Sequence, residues 1–183
     1  MNRQSLATGE LTFPTSDQAE FWTQRAASLL RKGHYQEAVF LYSRAIELES
    51  ECFVAWHGRG DALANLGQYP QALEDFDRAL QLQPDSPTTW VFQAVVLIYL
   101  ERYSEAIASC DRALQLQPDD SEAWAFRGAA LQRLGRYKES YAAFNRATRT
   151  QNSCLGDRLL RLLRSLLSFM RGTGRADQER NLA

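Results

Sequence analysis

Four tryptophans stand at Trp22, Trp56, Trp90 and Trp124, each 34 positions from the next. Four further columns keep that phase, beginning with Tyr35, Tyr69, Tyr103 and Tyr137. Then come Ala38, Ala72, Ala106 and Ser140, then Tyr42, Phe76, Cys110 and Phe144, and last Ala45, Ala79, Ala113 and Ala147. The nonapeptide DRALQLQPD occurs at 77–85 and again at 111–119. A chain that repeats at this length draws its stability from contacts between neighbouring units, which excludes a single core of mixed elements. The 183 residues divide into an N-terminal arm (1–18), four units (19–52, 53–86, 87–120, 121–154), an amphipathic segment (155–171) and a tail (172–183).

Each unit reads as two helices. In the second, VAWHGRGDALANLG carries small and apolar residues at helical spacing up to a break at Gly67. PQALEDFDRALQLQ follows, with Pro70 in the permitted first turn and Pro84 beyond the end. Small residues in the columns of Gly60 and Ala72 allow close helix crossing, and Tyr and Phe fill the space between hairpins. Gly33, Gly67 and Gly135 mark the turn inside three units, where the backbone needs a left-handed residue. Glu101 holds that place in the third, so its turn either has another shape or carries about 1 kcal/mol of strain.

The motif W-x2-[RQ]-[GA], followed by [GE]-x-Y-x2-[AS]-x3-[YFC]-x2-A and a late Pro, resembles the tetratricopeptide repeat, in four copies over residues 19–154. The sequence departs from that pattern at Arg25, Arg59, Gln93 and Arg127 where Leu is usual, at Ala26 and Ala94 for Gly, and at Ser50 and Asn152 for Pro. The resemblance implies an all-α fold, a right-handed superhelical solenoid of antiparallel helical hairpins. It also implies a concave face, lined by the first helix of each hairpin, that binds an extended peptide or a partner helix.

On that face the third unit presents Val91, Phe92, Val95, Ile98 and Tyr99, and the fourth adds Phe126. The centre is therefore expected to be greasy, with His57 and Asp61 beside it on the second unit. Either these side chains form a hydrophobic groove, or a tight superhelix or the chain's own tail covers them. The family's carboxylate clamp for chaperone tails places Lys, Asn and Arg on successive first helices. Those places hold Thr23 and Ala27, or His57 and Asp61, followed by Thr88 and Phe92, or Glu122 and Phe126. The clamp is missing in both frames.

In LGDRLLRLLRSLLSFMRG, Leu159, Leu160, Leu162, Leu163, Leu166, Leu167, Phe169 and Met170 occupy one half of a helical wheel. Arg158, Arg161, Arg164 and Arg171, with two serines, occupy the other. Three roles compete for the face built on Leu159, Leu163, Leu166, Phe169 and Met170. It caps the last hairpin, it docks a partner or pairs two copies into a homodimer, or it contacts an anionic membrane surface peripherally through 158–171. The wide apolar arc can also reach into the groove.

Lys and Arg number 21 against 22 for Asp and Glu, a net charge of -1 that gives no global attraction to nucleic acid. That sum combines an acidic repeat body with a basic C-terminal segment. Cys52, Cys110 and Cys154 have neither disulfide nor metal spacing, and Cys110, in an aromatic column, reads as a small core residue. No phosphate loop, metal set or cofactor motif stands out, and no catalytic residue is assigned. His57 and Asp61, four apart on one face, are the one pair on which an enzyme or regulator could rest. His34 reads as an exposed turn residue, and Glu74, Asp75 and Asp77 as a solvated outer face. With no secretory signal read in the first residues, the expected address is cytoplasmic. The expected function is a non-enzymatic scaffold or chaperone-like adaptor that binds another protein, the alternative being a self-associating structural module.

Overall fold

The computed structural model describes residues 15–150, which form eight α-helices in four antiparallel hairpins. α1 (Thr15–Lys32) pairs with α2 (Tyr35–Leu48) and α3 (Phe53–Asn65) with α4 (Tyr69–Leu82). α5 (Pro87–Tyr99) pairs with α6 (Tyr103–Leu116) and α7 (Ser121–Arg133) with α8 (Tyr137–Thr150). α1 begins ahead of residue 19, so it takes in residues 15–18, which the sequence reading leaves in the arm. The segment 155–171 and the tail lie outside the described residues.

Successive odd-numbered helices touch one another, while successive even-numbered helices make no comparable contact. The stack therefore curves into a superhelical solenoid with the odd helices on the inside. On the outside the curvature opens wedges, one of about 830 Å³ between α6 and α8 and one of about 270 Å³ between α4 and α6.

The repeated residues account for the repeated geometry. Trp56 donates its indole N–H to the carbonyl of Ser50, Trp90 to Pro84 and Trp124 to Pro118, at 2.8, 2.9 and 2.8 Å. Each tryptophan thus ties an inner helix to the turn that precedes it. Inside the hairpins, φ is 82°, 76° and 74° at Gly33, Gly67 and Gly135 and 60° at Glu101. All four turns close the same way, the residue after the left-handed one donating its amide to the carbonyl five back: His34 to Leu29, Gln68 to Leu63, Arg102 to Leu97 and Arg136 to Leu131. The third turn has the common shape, so Glu101 carries the strain. Glu101→Gly is expected to raise stability by about 0.5–1 kcal/mol in chemical denaturation, the left-handed penalty less the added freedom of the unfolded chain.

Side-chain sizes complement one another across the junctions. The ring of Tyr42 leans over Gly58, where a Cβ would sit 2.3 Å from Cζ. At the equivalent place in the next junction Phe76 meets Phe92, with ring centroids 5.7 Å apart. In the third, small Cys110 stands in the column of Tyr42, and Phe126 in that of Gly58. Both are fully buried in one continuous core.

Three of the four departures from leucine, Arg59, Gln93 and Arg127, form a polar ladder. Arg59 grips Asp75 with Nε and Nη2, both at 2.7 Å, and reaches Ser43 with Nη1 at 3.1 Å. Gln93 donates to Asp77 at 2.6 Å and accepts from Ser109 at 2.7 Å, and Arg127 donates to Asp111 at 2.6 Å. Every partner lies 16 residues before or after. Asp75 is therefore not on a solvated face but buried, its charge matched by a bidentate guanidinium. Burial pushes the Asp77 carboxyl up, against the Gln93 hydrogen bond that lowers it. Glu74 alone of the three acids lies exposed without a place in this ladder.

Candidate functional site

The inner face of the odd helices is the surface on which the sequence places the binding residues. The structure divides them. Val91, Val95, Ile98 and Phe126 are 3, 8, 6 and 0% exposed and lie in the buried core cluster. Phe126 is internal because Cys110 leaves it room. Phe92, Tyr99 and His57 are half-buried, with Val54 exposed beside them.

These half-buried rings form a row. His57 lies 5.2 Å from Phe92, 5.7 Å from Phe76 and 5.8 Å from Phe53, centroid to centroid. Its Nδ1 is 3.0 Å from the hydroxyl of Thr89, which is 2.8 Å from that of Ser86. Ser86 caps α5 by accepting from the Thr89 amide, so the histidine ring is anchored to the start of the next inner helix. Farther along, Tyr99 stacks on Tyr69 with centroids 4.6 Å apart and planes 5° from parallel. The equivalent place in the fourth unit holds Arg133, whose guanidinium lies 5.4 Å over the Tyr103 ring and donates to its hydroxyl.

Asp61 is buried, and its carboxylate and main-chain carbonyl accept from Asn65 at 2.9 and 2.7 Å. His57 and Asp61 are thus each drawn into the surrounding packing, the former toward Thr89 and the latter toward Asn65. Burial, with the charge of Asp61 nearby and Arg31 opposing, pushes the Tyr42 phenol up to about 12. The fold holds this phenol neutral, whereas an unfolded tyrosine ionises near 10. Its contribution is therefore complete below pH 10 and falls as the pH rises toward 12, by about 2 kcal/mol. Tyr42→Phe is expected to remove that part of the alkaline decline, read as the difference between the two denaturation midpoints across pH 9–12.

Polar groups rim the row. Glu20, Gln24 and Arg31 are exposed on α1, Asn65 on α3, Thr88 on α5 and Gln132 on α7. The clamp positions Thr23, Ala27, His57, Asp61, Thr88, Phe92, Glu122 and Phe126 hold no lysine or arginine. Among the described residues no group of three His, Cys, Asp or Glu is placed to hold a metal ion. No described helix is long and apolar enough to cross a membrane. His34 is exposed and sits 3.0 Å from Glu37 in its turn. Cys110 is buried, and burial with the neighbouring Asp111 pushes its thiol well above the ordinary range. Leu159, Leu163, Leu166, Phe169 and Met170 lie outside the described residues, as does Cys154.

Reading the sequence for the inner face missed the polar ladder. Its signal is the recurrence of complementary residues at a spacing of 16, as in Arg59 with Asp75 and Arg127 with Asp111.

Solved structures carry the same architecture. MamA from Desulfovibrio magneticus RS-1 (residues 41 to the end) aligns with a TM-score of 0.70 at 20% identity, over 86% of this chain and 98% of that one. YrrB, described as a TPR protein with an unusual peptide-binding site, aligns with a TM-score of 0.64 at 25% identity, over 71% and 67%. The first TPR of Spaghetti (RPAP3), bound to the HSP90 peptide SRMEEVD, aligns with a TM-score of 0.64 at 22% identity, over 66% and 95%. No curated protein matches by sequence. Tetratricopeptide repeat models match residues 23–87, 64–129 and 97–166. The chain belongs to the tetratricopeptide repeat family.

Proposed function

We propose that this chain is a non-enzymatic adaptor of the assembly or chaperone-like kind, and that it binds an apolar peptide or helix across its concave face. Proteins of this fold generally serve as protein–protein interaction scaffolds. The observation that carries the reading is the row of half-buried rings, His57, Phe92 and Tyr99, on the inner surface. Half-buried aromatics between a packed floor and a polar rim are the residue type and placement that dominate peptide recognition. The peptide site of YrrB and the HSP90 peptide on RPAP3 support peptide binding by a stack of this fold. The clamp positions here lack cations, so an acidic chain terminus is not the ligand proposed.

Val91, Val95, Ile98 and Phe126 then form the floor behind the contact surface. Phe92→Gln with Tyr99→Gln is expected to keep the far-UV helical signal and to weaken binding at least tenfold to apolar helical peptides selected on the parent chain. Unchanged affinity would refute the groove.

Self-association is a second reading, supported by the ends of the stack. Phe21 and Phe40 on the first hairpin are 54 and 64% exposed, and Tyr137 and Tyr141 on the last are 68 and 71% exposed. The terminal faces of a repeat stack are ordinarily polar. Sedimentation of the full chain across concentrations separates this reading from the groove.

A further inference from the structure

The concave face has an electrostatic direction. Its acids, Glu20 and Glu122, stand near the starts of α1 and α7, with Asp61 in the middle of α3. Its arginines, Arg31 and Arg133, stand at the other edge, near the ends of α1 and α7. Because α8 runs antiparallel to α7, the chain leaves α8 at Thr150 on the side where α7 begins, the acidic edge. From there the sequence runs through 151–157 to the amphipathic stretch 158–171, with leucines on one half of its wheel and Arg158, Arg161, Arg164 and Arg171 on the other.

We propose that residues 158–171 are the groove's own occupant, laid as a helix across α7, α5 and α3. The leucine half would lie on Phe92, Tyr99 and Val54, and the arginine half would face Glu122 on the acidic edge. Lengths agree. Fourteen helical residues span about 21 Å, and three inner helices packed at 8–10 Å spacing span about 20 Å. The connecting residues 151–157 can bridge roughly 23 Å when extended. Charge separates this site from the other apolar surface within reach, the outer face of the last hairpin. That surface, around Tyr137 and Tyr141 on α8, has Lys138 beside it, while Glu139, Arg146 and Arg149 line the wedge toward α6, so it lacks the carboxylate that Glu122 offers a tetra-arginine face. An internal occupant of this kind makes the groove autoinhibited. It also defines the external partner, a basic, leucine-rich amphipathic helix able to displace 158–171.

The inference rests on the groove reading, and one experiment separates their failures. A photo-crosslinking benzoylphenylalanine is placed at Leu163, and separately at Phe169, in the full chain, and the products are mapped by mass spectrometry. Intramolecular crosslinks into 53–65 and 87–99 are expected, and Glu122→Gln should lower their yield about threefold, the worth of one exposed ion pair. Crosslinks to 137–149 (a cap), crosslinks between two chains (a dimer), or none at all would each overturn the proposal. If any of those appears while peptide binding still depends on Phe92 and Tyr99, this inference alone falls. If that dependence is also lost, the groove reading falls with it.

Discussion

Arg59→Ala is expected to destabilise the chain by about 3–5 kcal/mol, among the largest effects open to a residue that is not fully buried. Arg59 holds Asp75 through two hydrogen bonds, and the Asp75 side chain is 5% exposed. Removing the guanidinium strands a carboxylate with little water to replace it, so most of the loss is desolvation rather than the missing bonds. Arg59 also lies over the Trp56 ring at 4.7 Å, so that contact goes too. The double replacement Arg59→Leu with Asp75→Leu distinguishes the causes. It restores the leucine that the family uses at this place and leaves no stranded charge, so it is expected to return to within about 1 kcal/mol of the parent or to exceed it. Urea denaturation of the parent, both single variants and the double variant completes the cycle. A double variant as unstable as Arg59→Ala would show that packing, not charge, sets the effect. The exposed pair Arg44–Glu47 is the control, and breaking it is expected to change stability by less than about 1 kcal/mol.

Phe126→Ala is expected to cost about 3–5 kcal/mol and so to act as a core truncation rather than as loss of a groove contact. Phe126 is fully buried against a junction in which Cys110 replaces the usual ring. The first junction shows the reverse arrangement, with Tyr42 packed over Gly58. Cys110→Tyr with Phe126→Gly copies it, and this pair is expected to recover at least half of the loss. Cys110→Tyr alone should destabilise by about 1–3 kcal/mol through overpacking. Equal instability of the single and double variants would sink the size-exchange account.

Such junctions explain how far the sequence could be read. The period of Trp22, Trp56, Trp90 and Trp124 discloses the hairpins, because each indole meets the same local need, a turn carbonyl six residues back in the units that follow another. Glu101 is readable as the strained turn for the same reason, since its requirement is set within its own hairpin. Asp75 and Phe126 are different. Whether an acid on an outer helix is solvated depends on a residue 16 positions away, and whether an inner phenylalanine lines a groove depends on the size of Cys110 in the previous unit. Single-helix patterns do not contain that information. The rings of Phe92, Tyr99 and His57 therefore reach the inner surface, while Val91, Val95, Ile98 and Phe126 are taken up in core packing.

The polar ladder also has a mechanical meaning. At each of the three junctions a long side chain from an inner helix reaches the outer helix of the unit before it: Arg59 to Ser43, Gln93 to Asp77 and Arg127 to Asp111. These ties lie between inner helices that touch at every junction and outer helices that open into a wedge at the second and third. A joint closed on one side, open on the other and pinned between is a hinge. Any rocking of successive units would turn about the ladder, the wedges narrowing as the stack straightens and widening as it curls. Because the three pins differ in chemistry, the joints differ in stiffness, and the neutral amide of Gln93 makes the middle joint the one least sensitive to salt.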